Sequence, residues 1–182
     1  MNDRGRKRTR RASLERLPSC DAQGNYRAVI EASAGSRNKY KFDPSAQALV
    51  LHHVLPIGTS FPYSFGFIPS TLGEDGDPLD VLVLMDEPAL PQTIVPCRLV
   101  GIIEAEQTQD GKSFRNDRLL AVASESHRYR HCSALADLAP EVLTEVELFF
   151  SFYNQQRGRQ FRVLARRGRR AAQAKVARAA AK

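Results

Sequence analysis

The sequence contains no tryptophan, and its three cysteines, Cys20, Cys97 and Cys132, show no C-x-x-C spacing. An odd number of widely separated cysteines argues against a disulfide framework and gives no zinc-binding pattern. We therefore expect reduced thiols and a cytoplasmic protein. No apolar run approaches the ~20 residues that a membrane-spanning helix needs, so the sequence predicts no membrane segment. Apolar residues make up 42% of the chain, which is enough for an ordinary globular core.

Acidic residues are absent from residues 157–182, which hold ten lysines and arginines. Residues 1–16 hold seven basic and two acidic residues, so the segment between the two ends has 10 basic and 18 acidic residues, a net charge of −8. We predict a basic disordered N-terminal tail at 1–20, one domain at 21–165 and a basic, Ala/Arg-rich C-terminal tail at 166–182, which could be a frayed helix or disordered. Basic ends of this kind could bind nucleic acid or another polyanion non-specifically.

Short runs rich in β-forming residues alternate with turn residues over most of the domain. The runs predicted as strands are 26–32, 39–42, 48–51, 80–85, 94–103 and 119–123. One long helix is predicted from Pro140 to about Gln156, with Val146 and Phe149 on its apolar face. The fold class predicted from these elements is mainly β with helices (α+β), a small β-barrel that carries a C-terminal amphipathic helix.

The run Asp75-Gly76-Asp77-Pro78-Leu79-Asp80 places three carboxylates within six residues, directly before an apolar strand-like run. Gly76 permits a positive φ and Pro78 fixes its own φ, so the turn is stiff. Carboxylates this close repel one another unless a cation lies among them. Mg²⁺ binds oxygen ligands of this kind and keeps several waters. The turn therefore predicts a magnesium site, and such sites usually serve phosphate chemistry.

Other segments follow in a recognisable order around this turn. Phe61–Leu72 precedes it with the pattern Phe-Pro-x-x-Phe-Gly-x-Ile-Pro-x-Thr-Leu. Val29–Glu31 and Asn38–Tyr40 lie upstream, and Phe149–Tyr153 lies on the downstream helix. This order resembles the soluble family I inorganic pyrophosphatases, of which the chain looks like a divergent member.

The resemblance implies an OB-like five-stranded β-barrel with the amphipathic helix packed on it. It also implies hydrolysis of inorganic pyrophosphate with Mg²⁺, for which Mn²⁺ is a substitute. The family further suggests a cytoplasmic homo-oligomer, commonly a hexamer in bacteria.

The resemblance also implies roles for individual residues. Asp75 and Asp80 are expected to be metal ligands. Asp77 is expected to contact metal and to accept the proton of the attacking water. The remaining assignments are phosphate binding by Lys39, Tyr153, Arg118 and His53, and an auxiliary acidic role for Glu31.

The sequence departs from the family pattern at several site positions. Two metal-binding aspartates of the family align with Gln107 and Asn116, and a phosphate-binding tyrosine aligns with Phe65. Asp117 would supply a missing metal ligand if the loop before it is shifted by one residue. The departures leave two alternatives to a diphosphatase: a hydrolase of another phosphoanhydride, or a catalytically weakened barrel that binds polyanions through its tails.

Overall fold

Nine strands and two α-helices form the described part of the chain, which is residues 14–43, 45–46 and 48–180 of a computed structural model. The strands are β1 (Tyr26–Ala32), β2 (Asn38–Asp43), β3 (Ala48–Val54), β4 (Ser64–Phe67), β5 (Asp80–Leu84), β6 (Ile94–Gln109), β7 (Lys112–Arg115), β8 (Arg118–Ala123) and β9 (Gln160–Gly168). The helices are α1 (Pro140–Gln155) and α2 (Arg169–Ala180). Every predicted strand is present, and β4, β7 and β9 are additional.

Five of these strands close into a ring. Strand β5 pairs with β4 on one side and with β8 on the other, β8 pairs with β6, and β6 pairs with β1, which returns to β4. Within the ring only the pairing of β5 with β8 is parallel. Strands β7 and β9 extend the sheet from β6, and β2 and β3 form a separate hairpin. The closed ring confirms the predicted five-stranded barrel.

Alternate residues of the ring strands pack on opposite faces, because successive side chains of a strand point in opposite directions. On β5, Val81 and Val83 belong to one core cluster, whereas Leu82 and Leu84 belong to another. Helix α2 packs in the first cluster and helix α1 packs in the second. Both helices therefore contribute to the core.

Helix α1 has the bounds that the sequence predicts. Pro140 occupies its first turn, where a missing N–H is tolerated, and Gly158 follows its end with a φ of +68°. Its buried side chains are Leu143, Val146, Phe149, Phe150 and Asn154. The apolar face is directed at the ring, so the predicted packing of this helix on the barrel is confirmed.

The predicted C-terminal tail, 166–182, is part of the folded domain as far as residue 180. Residues 166–168 complete β9, which pairs with β6. Helix α2 follows and buries Ala172, Val176 and Ala179 in the core. Alanine side chains are small enough for a helix to approach a sheet closely, so a segment of low-complexity composition still has a packing face. The prediction of a tail is wrong for this reason.

Cations of β9 and α2 form ion pairs with acids of the domain. The pairs, with N–O distances from 2.6 to 3.7 Å, are Arg162–Glu106, Arg166–Glu147, Arg167–Glu104 and Lys175–Asp117. These cations offset the negative charge of the domain to which they belong. The basic C-terminal segment is therefore not a free arm for a polyanion.

Residues 1–13 of the predicted N-terminal tail lie outside the described residues, and residues 14–20 are ordered against the domain. The amide of Ser70 donates to the carbonyl oxygen of Glu15 at 2.7 Å. The hydroxyl of Ser70 donates to the carbonyl oxygen of Leu17 at 2.9 Å. The folded domain therefore includes residues 14–20 as well.

Cys20, Cys97 and Cys132 are free thiols, as the sequence predicts, and the last two are buried. Burial raises the pKa of the Cys97 thiol to about 12. This thiol is therefore protonated and unreactive at neutral pH. Neither helix of the described residues combines the length and the apolarity that a membrane crossing requires.

Val176→Ala should lower the free energy of unfolding by about 2 kcal/mol, because it removes two methyl groups from a side chain that packs in the core. Urea denaturation of the purified protein measures the change. Arg170→Ala, on the exposed face of the same helix, is the matched control and should change stability by less than about 0.5 kcal/mol. A Val176→Ala variant as stable as the wild type would contradict the packing of α2 against the ring.

Candidate active site

The carboxylate turn, residues 75–80, leads directly into β5, of which Asp80 is the first residue. Gly76 has a φ of +84°, the positive value that only glycine adopts without strain. The Gly73 N–H donates to the carbonyl oxygen of Asp77 at 2.8 Å, and the Asp77 N–H donates to the carboxylate of Asp75 at 3.2 Å. These bonds fix the turn and present its three carboxylates from a rigid backbone.

A pocket of about 530 Å³ opens beside the carboxylate turn. Its charged lining residues are Lys39, Lys41, Glu74, Asp75, Asp77, Asp80, Arg118, Arg157 and Arg159. Five cations and four carboxylates around one cavity suit an anion that is bound together with a cation. Of the nine residues predicted for the site, six line this pocket, and Glu31, His53 and Asp117 do not.

Two carboxylates of the turn are paired with protein cations. Arg118 Nη1 lies 2.8 Å from Asp80 Oδ2, and Lys41 Nζ lies 3.0 Å from Asp77 Oδ2. The Arg118 side chain is only 4% exposed, whereas the Asp77 side chain is 60% exposed. Water therefore screens the Asp77 pair more strongly. These cations offset part of the repulsion among the three carboxylates.

Asp75 is the carboxylate of the turn that is left without a cationic partner in the described part of the chain. Burial raises its pKa above the usual range for aspartate, and the charge of Asp80 raises it further. A cation bound near Asp75 and Asp80 would remove this repulsion. Among the described residues no three His, Cys, Asp or Glu side chains converge as a ready-made metal site. Two carboxylates with waters and phosphate oxygens are the donor set that Mg²⁺ uses, so these residues fit one such ion bound with a phosphate ligand.

Lys39 and Glu31 form a buried ion pair beside the turn, with 3.1 Å between Nζ and Oε2. Burial opposes the charged form of Lys39, but the charges of Glu31 and Asp80 outweigh it and raise the pKa of this lysine. Lys39 Nζ also lies 4.7 Å from the ring centroid of Phe65. Lys39 is therefore a permanent cation of the pocket, and Glu31 lies behind it and orients it.

His52, and not His53, lines the pocket. The pairing of β2 with β3 shifts by one residue at His52, so a β-bulge breaks the alternation of side chains there. His53 instead meets the ring of Tyr153 edge-on, with 5.8 Å between centroids. Burial and the charges of Arg157 and Lys39 lower the pKa of His53. His53 is thus a neutral side chain that packs against Tyr153 and does not line the pocket.

Gln107 and Asn116, the amides that align with aspartates of the family, both line the pocket. The Asn116 side-chain amide donates to Gln107 Oε1 at 3.0 Å, and its carbonyl oxygen accepts a hydrogen bond from Arg118. The two side chains are neutral and engaged with each other. This side of the pocket therefore has hydrogen-bonding groups where the resemblance implies negative charge.

Asp117 is not brought to this pocket, and this placement corrects its prediction as a metal ligand. It lies in a second cavity of about 400 Å³ beside α2. Its Oδ1 accepts hydrogen bonds from the Ala105 N–H at 2.9 Å and from Arg115 at 2.9 Å, and its Oδ2 lies 2.7 Å from Lys175 Nζ. Neighbouring residues point to opposite sides of an extended chain. Because Asn116 lines the pocket, Asp117 is directed away from it.

Arg157 and Arg159 line the pocket, although the sequence predicts no role for them there. Their charge was attributed to the basic C-terminal end of the chain. The sequence offered one indication of this placement, which is that both residues come shortly after the predicted helix α1. Tyr153 lies about one turn earlier on the same helix, so side chains at the helix end reach the same place.

The fold and the site together describe a barrel protein with a pocket whose charges suit an anion bound together with a cation. The family model described as inorganic pyrophosphatase matches residues 28–182 of this chain. The chain therefore belongs to the inorganic pyrophosphatase family.

Individual relatives agree with this assignment. The inorganic pyrophosphatase of Thermus thermophilus is 39% identical over 165 residues, which cover 88% of this chain and 92% of that protein. The inorganic pyrophosphatase of a Nostoc species is 39% identical over 140 residues, which cover 77% of this chain and 80% of that protein. A crystal structure of the Thermus thermophilus inorganic pyrophosphatase matches with a TM-score of 0.84 at 37% identity, covering 93% of this chain and 98% of that chain.

Asp117→Asn should destabilise the protein by about 2 kcal/mol at neutral pH, because Lys175 and Arg115 lose the carboxylate that they share. Burial opposes the ionised form of Asp117, but hydrogen bonds from Lys175 and Ala105 outweigh it and lower the pKa of this carboxyl. The carboxylate therefore stabilises the fold fully above its unfolded-state pKa of about 4 and loses this contribution as the pH falls through its lower folded-state pKa.

Urea denaturation from neutral pH down to about pH 3 measures this effect. The difference in unfolding free energy between the wild type and Asp117→Asn should shrink as the pH falls. A difference that stays constant over this range would contradict the charge-stabilised role of Asp117.

Proposed function

We propose that this chain is an inorganic diphosphatase, which hydrolyses inorganic pyrophosphate to two orthophosphates with Mg²⁺. The observation that carries the proposal is one pocket in which the carboxylate turn lies together with Lys39, Arg118 and Tyr153. In such a pocket, cations and a phenol bind the polyanion, and carboxylates bind the metal ion that accompanies it. Membership of the inorganic pyrophosphatase family supports the same reaction.

Asp75 and Asp80 are the proposed metal ligands, with Asp77 as a further ligand. Burial and then the charge of Asp80 raise the pKa of Asp75, and the repulsion between the two carboxylates supports a cation bound near them. When bound, Mg²⁺ supplies charge neutralisation of the phosphates and a water of lowered pKa. Mn²⁺ accepts the same oxygen ligands and is the proposed substitute.

Asp77 is the proposed general base. Its exposed carboxylate is accessible to water and lies 3.0 Å from Lys41 Nζ, and both residues line the pocket. Asp77 accepts a proton from the attacking water as the water oxygen bonds to phosphorus. The bond from that phosphorus to the bridging oxygen breaks, and the second phosphate leaves with the bridging oxygen.

Lys39, Arg118 and Tyr153 are the proposed phosphate ligands. Lys39 is a permanent cation, and the N–H groups of Arg118 suit the oxygens of a phosphate. His53 is proposed to act through Tyr153, whose ring it contacts.

A cytoplasmic location is proposed as well, and the three free cysteines support it.

A homo-oligomer, a hexamer by resemblance, stays a prediction. Exposed apolar side chains on α1 and β9 suit burial against another copy of the chain, and they are Leu148, Phe152 and Leu164. Nothing in residues 14–180, as far as they are described, favours nucleic-acid binding as a separate function.

The purified protein should release orthophosphate from pyrophosphate when Mg²⁺ is present, and Asp77→Asn should lower kcat by about 100-fold or more, as the loss of a general base does. A colorimetric orthophosphate assay measures both rates. Glu87→Gln changes an exposed acid outside the pocket and should keep the wild-type rate.

Circular dichroism of the two variants checks that each is folded. Wild-type turnover by Asp77→Asn would rule out this residue as the base. A wild-type protein that releases no orthophosphate would contradict the proposed function itself.

A further inference from the structure

Arg157 is a cation of the active-site pocket that the roles proposed above leave unused. It follows α1 directly after the C-cap residue Gln156, and Gly158 completes the turn with a φ of +68°. The Arg157 N–H donates to the carbonyl oxygen of Asn154 at 2.9 Å. The backbone of Arg157 is therefore fixed to the end of the helix.

Tyr153 fixes the guanidinium of Arg157 at the pocket. Arg157 Nη1 donates to Tyr153 Oη at 2.7 Å, and Cζ of Arg157 lies 5.4 Å from the centroid of the tyrosine ring. The ring of Tyr153 is itself packed against Phe61 and Phe149. A guanidinium that is already held in place loses less side-chain entropy when it binds a ligand.

Within the described part of the chain no carboxylate pairs with Arg157. Three other cations of the pocket have acidic partners. The pairs are Lys39–Glu31, Lys41–Asp77 and Arg118–Asp80. Arg159 also lines the pocket, but in the described residues no side-chain hydrogen bond orients it. Arg157 is therefore the oriented cation whose charge is left for a ligand.

The charge of Arg157 also reaches the neighbours of Tyr153. After burial, it is the largest influence that lowers the pKa of His53, whose ring meets that of Tyr153. A guanidinium has five N–H donors, and the hydrogen bond to Tyr153 uses one of them. The remaining donors match the oxygens of a phosphate in a bidentate geometry.

We infer that Arg157 is a further substrate-binding residue, whose free N–H groups bind one phosphoryl group of pyrophosphate while Tyr153 holds the guanidinium in place. The inference rests on the proposed function and deepens it. Tyr153 accepts the hydrogen bond from Arg157 and keeps its own hydroxyl proton to donate to a phosphate oxygen. The two side chains thus bind the anion as a unit, and Arg157 supplies positive charge to the pocket that Gln107 and Asn116 also line.

The test is the affinity for methylenediphosphonate, an analogue whose P–C–P bridge resists hydrolysis, measured by isothermal titration calorimetry with and without Mg²⁺. Arg157→Gln keeps a hydrogen-bonding side chain without the charge and should weaken binding by about 10- to 100-fold. Arg157→Lys should recover only part of the affinity, because an ammonium group lacks the bidentate fork. In steady-state hydrolysis, Arg157→Gln should raise KM by more than it lowers kcat.

Arg162→Gln is the matched control, because Arg162 pairs with Glu106 outside the pocket and should bind the analogue as the wild type does. Wild-type affinity in Arg157→Gln overturns the inference, and the proposed function stands if the wild type still releases orthophosphate. An Arg157→Gln variant weakened only as much as Arg162→Gln overturns it equally. A wild type that neither binds the analogue nor hydrolyses pyrophosphate overturns the proposed function and the inference with it.

Discussion

The ion pair between Arg118 and Asp80 connects the candidate site to the barrel. Strands β5 and β8 are parallel and in register, so their first residues, Asp80 and Arg118, stand side by side at the same end of the ring. The guanidinium also lies 4.6 Å from the ring centroid of Phe150 on α1 and 5.3 Å from that of Phe161 on β9. Its Nε is the one buried side-chain polar atom without a partner in the described part of the chain, a deficit of about 1–3 kcal/mol. Buried ion pairs contribute little net stability, so the main consequence of this arrangement is a fixed charge beside the carboxylate turn.

Charge at the site is divided between fixed protein cations and a cation that must come from solution. Lys41 and Arg118 already neutralise part of Asp77 and Asp80. Asp75 and the remaining carboxylate oxygen of Asp80 are the groups proposed to bind the metal ion. This is a small donor set, and Mg²⁺ commonly completes such a set with waters and with the oxygens of its phosphate substrate. Metal and substrate are therefore expected to bind together, and the site depends on arginine and lysine for the rest of the charge.

The sequence was informative where a residue pattern has one structural meaning. The apolar run of β5, the apolar face of α1 and the Gly76 turn were all predicted, because apolar runs, helical periodicity and turn chemistry are local. The packing of helix α2 in the core was missed because its alanines give no strong apolar face, and only the tertiary structure shows that Val176 is buried. Asp117 was misplaced because one residue of register in a loop reverses the side to which a carboxylate points. The role of Arg157 depends on a contact with Tyr153 that composition does not reveal.

The central claim is that this pocket hydrolyses pyrophosphate with water. Phosphorus NMR in water enriched in ¹⁸O tests it most directly, with the wild-type protein, Mg²⁺ and pyrophosphate in a short incubation. The account predicts that the pyrophosphate signal is replaced by orthophosphate and that one of the two orthophosphates from each pyrophosphate carries one ¹⁸O atom from solvent. A pyrophosphate signal that persists unchanged, with no labelled orthophosphate, would contradict it.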